Sequence, residues 1–173
     1  MPIVPETKSW TWVLERPCPE CGFDASATDA RDVPGLARRN AAAWPAVLQR
    51  AEVRERPDDD TWSPLEYAAH VRDVFSIMRG RLELMLAEND PLFANWDQDA
   101  TAVEERYNEQ DPAAVSAQLV EAGRAIADAF DSVPPDAWGR TGRRGDGASF
   151  SVETLAQYFI HDPVHHLHDV SKG

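Results

Sequence analysis

Positive charge is scarce in this sequence: 17 lysines and arginines face 30 aspartates and glutamates, a net charge of −13. Surfaces that bind phosphate are built from Lys and Arg, so a nucleic-acid partner is excluded. An anionic membrane surface is excluded for the same reason. Long apolar runs are also missing, and nothing approaches the ~20 residues that a membrane span requires. The segment Met1 to Trp10 has no basic region followed by an apolar stretch, so no signal peptide is expected. Cysteine is limited to Cys18 and Cys21, too few and too close together to staple a domain. The expected compartment is therefore the reducing cytoplasm. Internal repeats and low-complexity tracts are absent. What remains is an ordinary globular mix, 43% apolar and 27% charged over 173 residues. At this length a chain forms one domain, or one domain with an extension, and buries roughly two-thirds of its unfolded surface.

Residues 1–31 differ from the rest. They hold Pro2, Pro5, Pro17 and Pro19, the Cys18-Pro19-Glu20-Cys21 motif and no sustained helical period. They predict an irregular extension that packs through Trp10, Trp12 and Phe23. From residue 32 to residue 173 the pattern is helical. A first helix is expected over about 33–51, with Asp32 as cap, Pro34 in the first turn and a kink at Pro45. Ser63-Pro64-Leu65-Glu66 combines a cap, a first-turn proline and a capping-box glutamate, and so predicts a second helix running to about Ala87. A long connection over about 88–110 carries Phe93, Trp96 and Tyr107. A third helix follows over about 112–131, opened by Asp111-Pro112 and closed before Pro134-Pro135. The Gly/Arg-rich stretch from Gly139 to Gly147 is compatible with a short hairpin. The fourth helix is expected from near Ser151 to about Val170. Four helices with mostly short loops predict an all-α fold, a four-helix bundle with one long crossover.

Four of the five histidines fall at His161, His165, His166 and His168, and the fifth is His70. Positions four apart on a helix differ by about 40° and rise about 6 Å, so His161 and His165 point the same way. Two imidazoles so placed can share one divalent cation. His70 lies on the inward face of the second helix and is the histidine available as a third ligand. Three histidines with no fourth protein ligand leave a position for water or substrate. Periodicity also allows a plainer reading. The apolar stripe of the fourth helix is Val152, Leu155, Ala156, Phe159, Leu167 and Val170, which leaves Tyr158, His161, His165 and His168 on the polar side. Pro163 complicates that reading, because a proline between the two histidines should re-aim one half of the helix. By the same wheel His166 is expected to pack against the apolar side.

The segment Trp62-Ser63-Pro64-Leu65-Glu66-Tyr67 with His70-Val71-Arg72-Asp73, followed by Tyr158-Phe159-Ile160-His161-Asp162-Pro163-Val164-His165-His166, resembles the DinB-like superfamily. The resemblance spans roughly residues 32–170. It implies a four-helix bundle of the DinB-like type with a long crossover. It also implies a metal triad of one histidine on the second helix and a His-x-x-x-His pair on the fourth, which here are His70, His161 and His165. The implied metal is Zn²⁺, with Ni²⁺ or another divalent ion as the alternative. Characterised relatives include mycothiol- and bacillithiol-dependent S-transferases and a mycothiol-dependent maleylpyruvate isomerase. The implied function is thus a metal-dependent transferase that joins a low-molecular-weight thiol, its cosubstrate, to an electrophile. The alternative is a non-catalytic metal-binding or partner-binding stress-response module. Members of the family are often homodimers.

Several further residues are candidates on local grounds. Asp73, Asp162 and Asp169 lie near the histidines in sequence and could orient imidazoles. His168 is one turn beyond His165 and is either a base at the pocket rim or an exposed polar residue. Tyr158 and the Trp96 loop are pocket-lining candidates. Arg140, Arg143 and Arg144 form a basic cluster that either holds a substrate carboxylate or is a solvated loop. Cys18 and Cys21 make half of a zinc knuckle. They read as a redox dithiol, as a zinc site completed by another subunit or a histidine, or as two free thiols, the last being preferred; in each case they are expected to be dispensable for the bundle's metal.

Overall fold

The computed structural model describes residues 10–172. Four long helices make the bundle: α1 (Val33–Leu48), α2 (Pro64–Ala87), α4 (Pro112–Asp131) and α5 (Val152–Ser171). The crossover between α2 and α4 carries a short helix, α3 (Gln98–Glu104), and one 3-10 turn at Tyr107–Glu109. A two-stranded antiparallel hairpin, β1 (Thr141–Arg143) and β2 (Ser149–Ser151), precedes α5 and pairs Gly142 with Phe150.

Local chemistry accounts for the helix starts. Ser63 Oγ accepts from Glu66 N at 3.2 Å, and Glu66 Oε2 accepts from Ser63 N at 2.8 Å, which completes the expected capping box of α2. Ser151 and Thr154 form a second capping box at α5, and Asp111 caps α4. Asp32 does not cap α1 through its side chain. The chain instead enters α1 through a 3-10 turn, Ala30–Asp32, whose cap is Asp29, accepting from Arg31 N at 2.9 Å. Both internal prolines, Pro45 and Pro163, sit within unbroken helices. Each removes one donor, and tertiary packing on the buried faces holds the helix through that loss.

Both α1 and α2 pack on α4 and α5, so α1 lies diagonally across the bundle from α2, and α4 from α5. The core between them holds Trp44, Phe75, Leu82, Leu119, Phe130 and Phe159, each nearly inaccessible to water. The crossover is stitched to the hairpin: Phe93 N donates to Arg143 O and Arg143 N to Pro91 O, both at 2.8 Å. The extension runs as two further 3-10 turns, Thr11–Leu14 and Ala25–Ala27, packed against α5. Val13, Cys18, Ala25 and Ala30 are its buried anchors. Pro2 and Pro5 lie outside the described residues. Among the described residues, no helix is long and apolar enough to cross a membrane.

Candidate metal centres

The middle of α5 carries two consecutive i, i+4 pairs, His161/His165 and Asp162/His166. One step along a helix turns the side chain by about 100°, so the two pairs look in different directions. The first pair faces the extension and the second faces α2.

In the first cluster the donor atoms of Cys18, Cys21, His161 and His165 all lie within 4.8 Å of one another. Cys18 Sγ is 3.6 Å from His165 Nδ1, and Cys21 Sγ is 3.7 Å from His161 Nε2. The other nitrogen of His165, Nε2, is 3.2 Å from Glu20 Oε2 and 3.5 Å from Asp169 Oδ2. Trp10 stacks on His161 at 5.5 Å and meets His165 edge-on at 5.4 Å. Burial, reinforced by the neighbouring His165, pushes the His161 imidazolium down to about 4, and burial likewise lowers His165. Burial also pushes the Cys21 thiol up to about 11. Burial thus favours the uncharged forms of His161, His165 and Cys21.

In the second cluster the donor atoms of His70, Asp162 and His166 lie within 4.8 Å of one another. His70 Nε2 is 3.3 Å from Asp162 Oδ1, and His166 Nε2 is 3.6 Å from Asp162 Oδ2. His166 Nδ1 meets Asp169 Oδ2 at 3.2 Å, which leaves Nε2 turned toward Asp162. His70 is fully buried, stacked on Trp96 at 5.6 Å with rings nearly parallel. Burial disfavours the His166 cation, yet Asp162 and then Asp169 outweigh it and hold the imidazolium up to about 9. Burial likewise opposes the Asp162 anion, and His70 and His166 keep its carboxyl well below the usual range. Among the described residues, the two buried side-chain polar atoms without a hydrogen-bond partner are His70 Nδ1 and Asp162 Oδ1. Asp162 Oδ2 lies between the two imidazoles, 3.4 Å from His70 Nε2 and 3.6 Å from His166 Nε2, while the buried Oδ1 makes no hydrogen bond; a divalent cation would satisfy such a carboxylate.

Both clusters border one cavity of about 800 Å³, lined also by Tyr67, Met78, Arg81, Trp96, Arg144 and Tyr158. Arg144 Nη1 donates to Tyr158 OH at 3.0 Å and pairs with Asp146. Arg81 is largely buried, and burial followed by the nearby Arg144 lowers its pKa.

A family model described as the DinB superfamily matches residues 36–170. The chain belongs to that superfamily. A solved structure, titled "YfiT from Bacillus subtilis is a probable metal-dependent hydrolase with an unusual four-helix bundle topology", has a TM-score of 0.65 and 18% identity, and the alignment covers 99% of this chain and 93% of that one. That likeness carries the fold. No curated protein matches the chain. The family match begins after Cys18 and Cys21, so the extension is outside it.

Within this DinB-superfamily bundle, the residues expected to form one triad are divided. His161 and His165 are brought together with Cys18 and Cys21, and His70 with Asp162 and His166. The cause is the direction of α5: the residues facing α2 are one step on from the expected pair. His166, expected to pack on the apolar side, meets His70 edge-on at 4.9 Å. His161 and His165 are buried rather than on a solvated side, because the extension covers them. Asp169 touches both clusters. Asp73 belongs to neither; it accepts from Tyr107 OH and from Arg72 Nε. His168 is half-buried and outside both. Of the basic cluster, Arg144 lines the cavity, while Arg140 binds the carbonyls of Met85 and Glu88 at the end of α2 and Arg143 pairs with Asp90. Asp162 with His166 was legible as an i, i+4 pair but competes in sequence with the all-histidine pair beside it.

Proposed function

We propose that this protein is a metal-dependent enzyme whose divalent cation is held by His70, Asp162 and His166. The observation that carries the reading is the convergence of one donor atom each from His70, Asp162 and His166 within 4.8 Å of one another, with the buried Asp162 Oδ1 left without a hydrogen bond, at the edge of a cavity of about 800 Å³. Two imidazoles and a carboxylate suit Zn²⁺ or Ni²⁺, and three ligands are one short of a closed structural zinc site. A cation there supplies Lewis acidity, which makes a nucleophile of a water or thiol at neutral pH. The chain's own residues do the rest. Asp169 accepts from His166 Nδ1 and so leaves Nε2 as the ligand atom, once a cation displaces the Nε2 proton. Trp96 fixes the plane of His70 and shields it from water. Arg81, without a carboxylate in ion-pair range among the described residues, receives an anionic group of the substrate.

With water as nucleophile the reaction is hydrolysis, in line with the "probable metal-dependent hydrolase" of the structural neighbour's title. A second reading, transfer of a low-molecular-weight thiol to an electrophile, is favoured by the size of the cavity and by its two guanidinium groups, which suit a bulky anionic cosubstrate. Free cysteine thiols fit a reducing compartment such as the cytoplasm. The test uses metal-loaded protein on panels of activated esters and amides, and on electrophiles with and without added thiols. Turnover is expected to disappear with chelator and in Asp162→Ala. Thiol-independent turnover supports hydrolysis, and strict thiol dependence supports transfer. Turnover that survives metal removal overturns both.

A further inference from the structure

We propose that Cys18, Cys21, His161 and His165 form a second metal site, a closed four-ligand zinc centre that fastens the N-terminal extension to α5. The donors come from two segments about 140 residues apart, and half of them lie outside the region that matches the family. With Zn–S near 2.3 Å and Zn–N near 2.05 Å, a tetrahedral site has S···N edges of about 3.6 Å. The two sulfur–nitrogen separations here are 3.6 and 3.7 Å. The cysteine loop already has the shape of a knuckle. Cys18 N donates to Phe23 O and Gly22 N to Cys18 O, both at 2.9 Å, and Gly22 takes φ +77°, where a side chain would be strained.

The supporting contacts are those of a metal-bound histidine. His165 offers Nδ1 to the sulfur side, while its Nε2 faces the carboxylates of Glu20 and Asp169. Charge also balances. Zn²⁺ displaces the two thiol protons to solvent, forms two Zn–S and two Zn–N bonds, and leaves a neutral centre that tolerates burial. No electron changes hands. A redox dithiol would not require two buried imidazoles on its sulfurs. Four protein donors leave no place for substrate, so this site is structural. Its effect reaches the cavity, because Trp10 and Glu20 line the wall that the extension contributes.

The test uses the full chain, loaded with Co²⁺ and, separately, Zn²⁺, then freed of excess metal. Two equivalents per chain are expected. The Co²⁺ form should show the intense near-ultraviolet sulfur-to-metal absorption and red d–d bands of a tetrahedral thiolate site. In the wild type both thiols should resist alkylation until chelator is added. Cys18→Ser/Cys21→Ser should lose one equivalent and the sulfur band; Asp162→Ala should lose the other equivalent and keep the band. The alkylation and absorption readouts need no variant, so a double variant that fails to fold does not decide the question. Thiols that alkylate freely in metal-loaded wild type, a Cys18–Cys21 disulfide in the reduced preparation, or Co²⁺ protein without a sulfur band overturns the proposal. Loss of the Asp162 equivalent alone would leave this site standing and separates its fate from that of the enzyme reading.

Discussion

Asn40 is a buried polar residue on α1 whose removal should be felt throughout the bundle. It is 6% exposed. Its Nδ2 donates to Pro163 O at 2.9 Å, and its Oδ1 accepts from Trp44 Nε1 at 3.1 Å. Pro163 lies inside both donor pairs of α5, so Asn40 fixes the turn that carries both clusters. Asn40→Leu keeps the number and branching of the side-chain heavy atoms, so no cavity opens. It leaves the fully buried Trp44 indole N–H without an acceptor, at about 1–3 kcal/mol. Loss of the bond to Pro163 adds about 0.5–1.5 kcal/mol. The expected destabilisation is about 2–4 kcal/mol, or roughly 4–16 °C in Tm for a chain of this size. Denaturant unfolding at one fixed free-metal concentration measures it without a change in metal linkage. Trp44→Phe in the Asn40→Leu background should destabilise by about 1–2 kcal/mol less than in the wild type, because the orphaned donor is then absent. A single variant within about 0.5 kcal/mol of wild type, or strict additivity in the double variant, would refute the reasoning.

Four other outcomes follow from the same geometry. Gly123→Ala places a methyl 2.6 Å from Ala41 Cβ and 3.2 Å from Phe75 Cε2; overpacking of about 1–3 kcal/mol should exceed the helix-propensity gain of about 1 kcal/mol, and a raised melting temperature would contradict the close approach of α1 and α4. Acid should strip metal from the second cluster, since His166, whose imidazolium persists up to about pH 9, binds protons in competition with the cation throughout the neutral and acid range, and full retention there at about pH 5 in a metal-release titration would count against His166 as a ligand. Arg81→Gln should raise KM for anionic substrates and leave metal content unchanged; an unchanged KM removes Arg81 from recognition. Asp169→Asn should weaken metal binding at both clusters, by about 10–100-fold each in competition with a chelator dye, and an effect at neither refutes its bridging role.

The bundle was legible because its signals are local. Ser63-Pro64-Leu65-Glu66 names its own cap, first-turn proline and capping glutamate, and α2 and α4 run as the periodicity predicts. The sites were legible in part. His70 faces inward, as its neighbours Tyr67 and Val74 indicate. The pairing of His161 and His165 was also readable, from helical spacing alone. Their partners were not, because they depend on which face of α5 meets α2 and which meets the extension. A wheel drawn from apolar residues assigns His161 and His165 to solvent, since it has no knowledge of a non-helical segment that covers them. Cys18 and Cys21 looked like half a site for the same reason: the other half is about 140 residues away. Asp162 was readable as a residue near the imidazoles, but its spacing of four from His166 stood beside a more conspicuous all-histidine pair.

The division of α5 into two donor faces has one point of contact. Asp169 Oδ2 is 3.5 Å from His165 Nε2 and 3.2 Å from His166 Nδ1. The two imidazoles turn opposite nitrogens to it. His165 turns Nε2 to Asp169 and Nδ1 to Cys18; His166 turns Nδ1 to Asp169 and Nε2 to Asp162. Burial opposes the Asp169 anion, but the hydrogen bond and charge of His166 outweigh it and keep the carboxyl ionised below its ordinary range. A carboxylate that accepts from one imidazole and lies in ion-pair range of another divides its negative charge between them. Drawing charge from one ring would strengthen that ring's hold on the shared oxygen and loosen the other's. A cation on the extension side and one on the α2 side would thus be coupled through a single oxygen, over one helical turn.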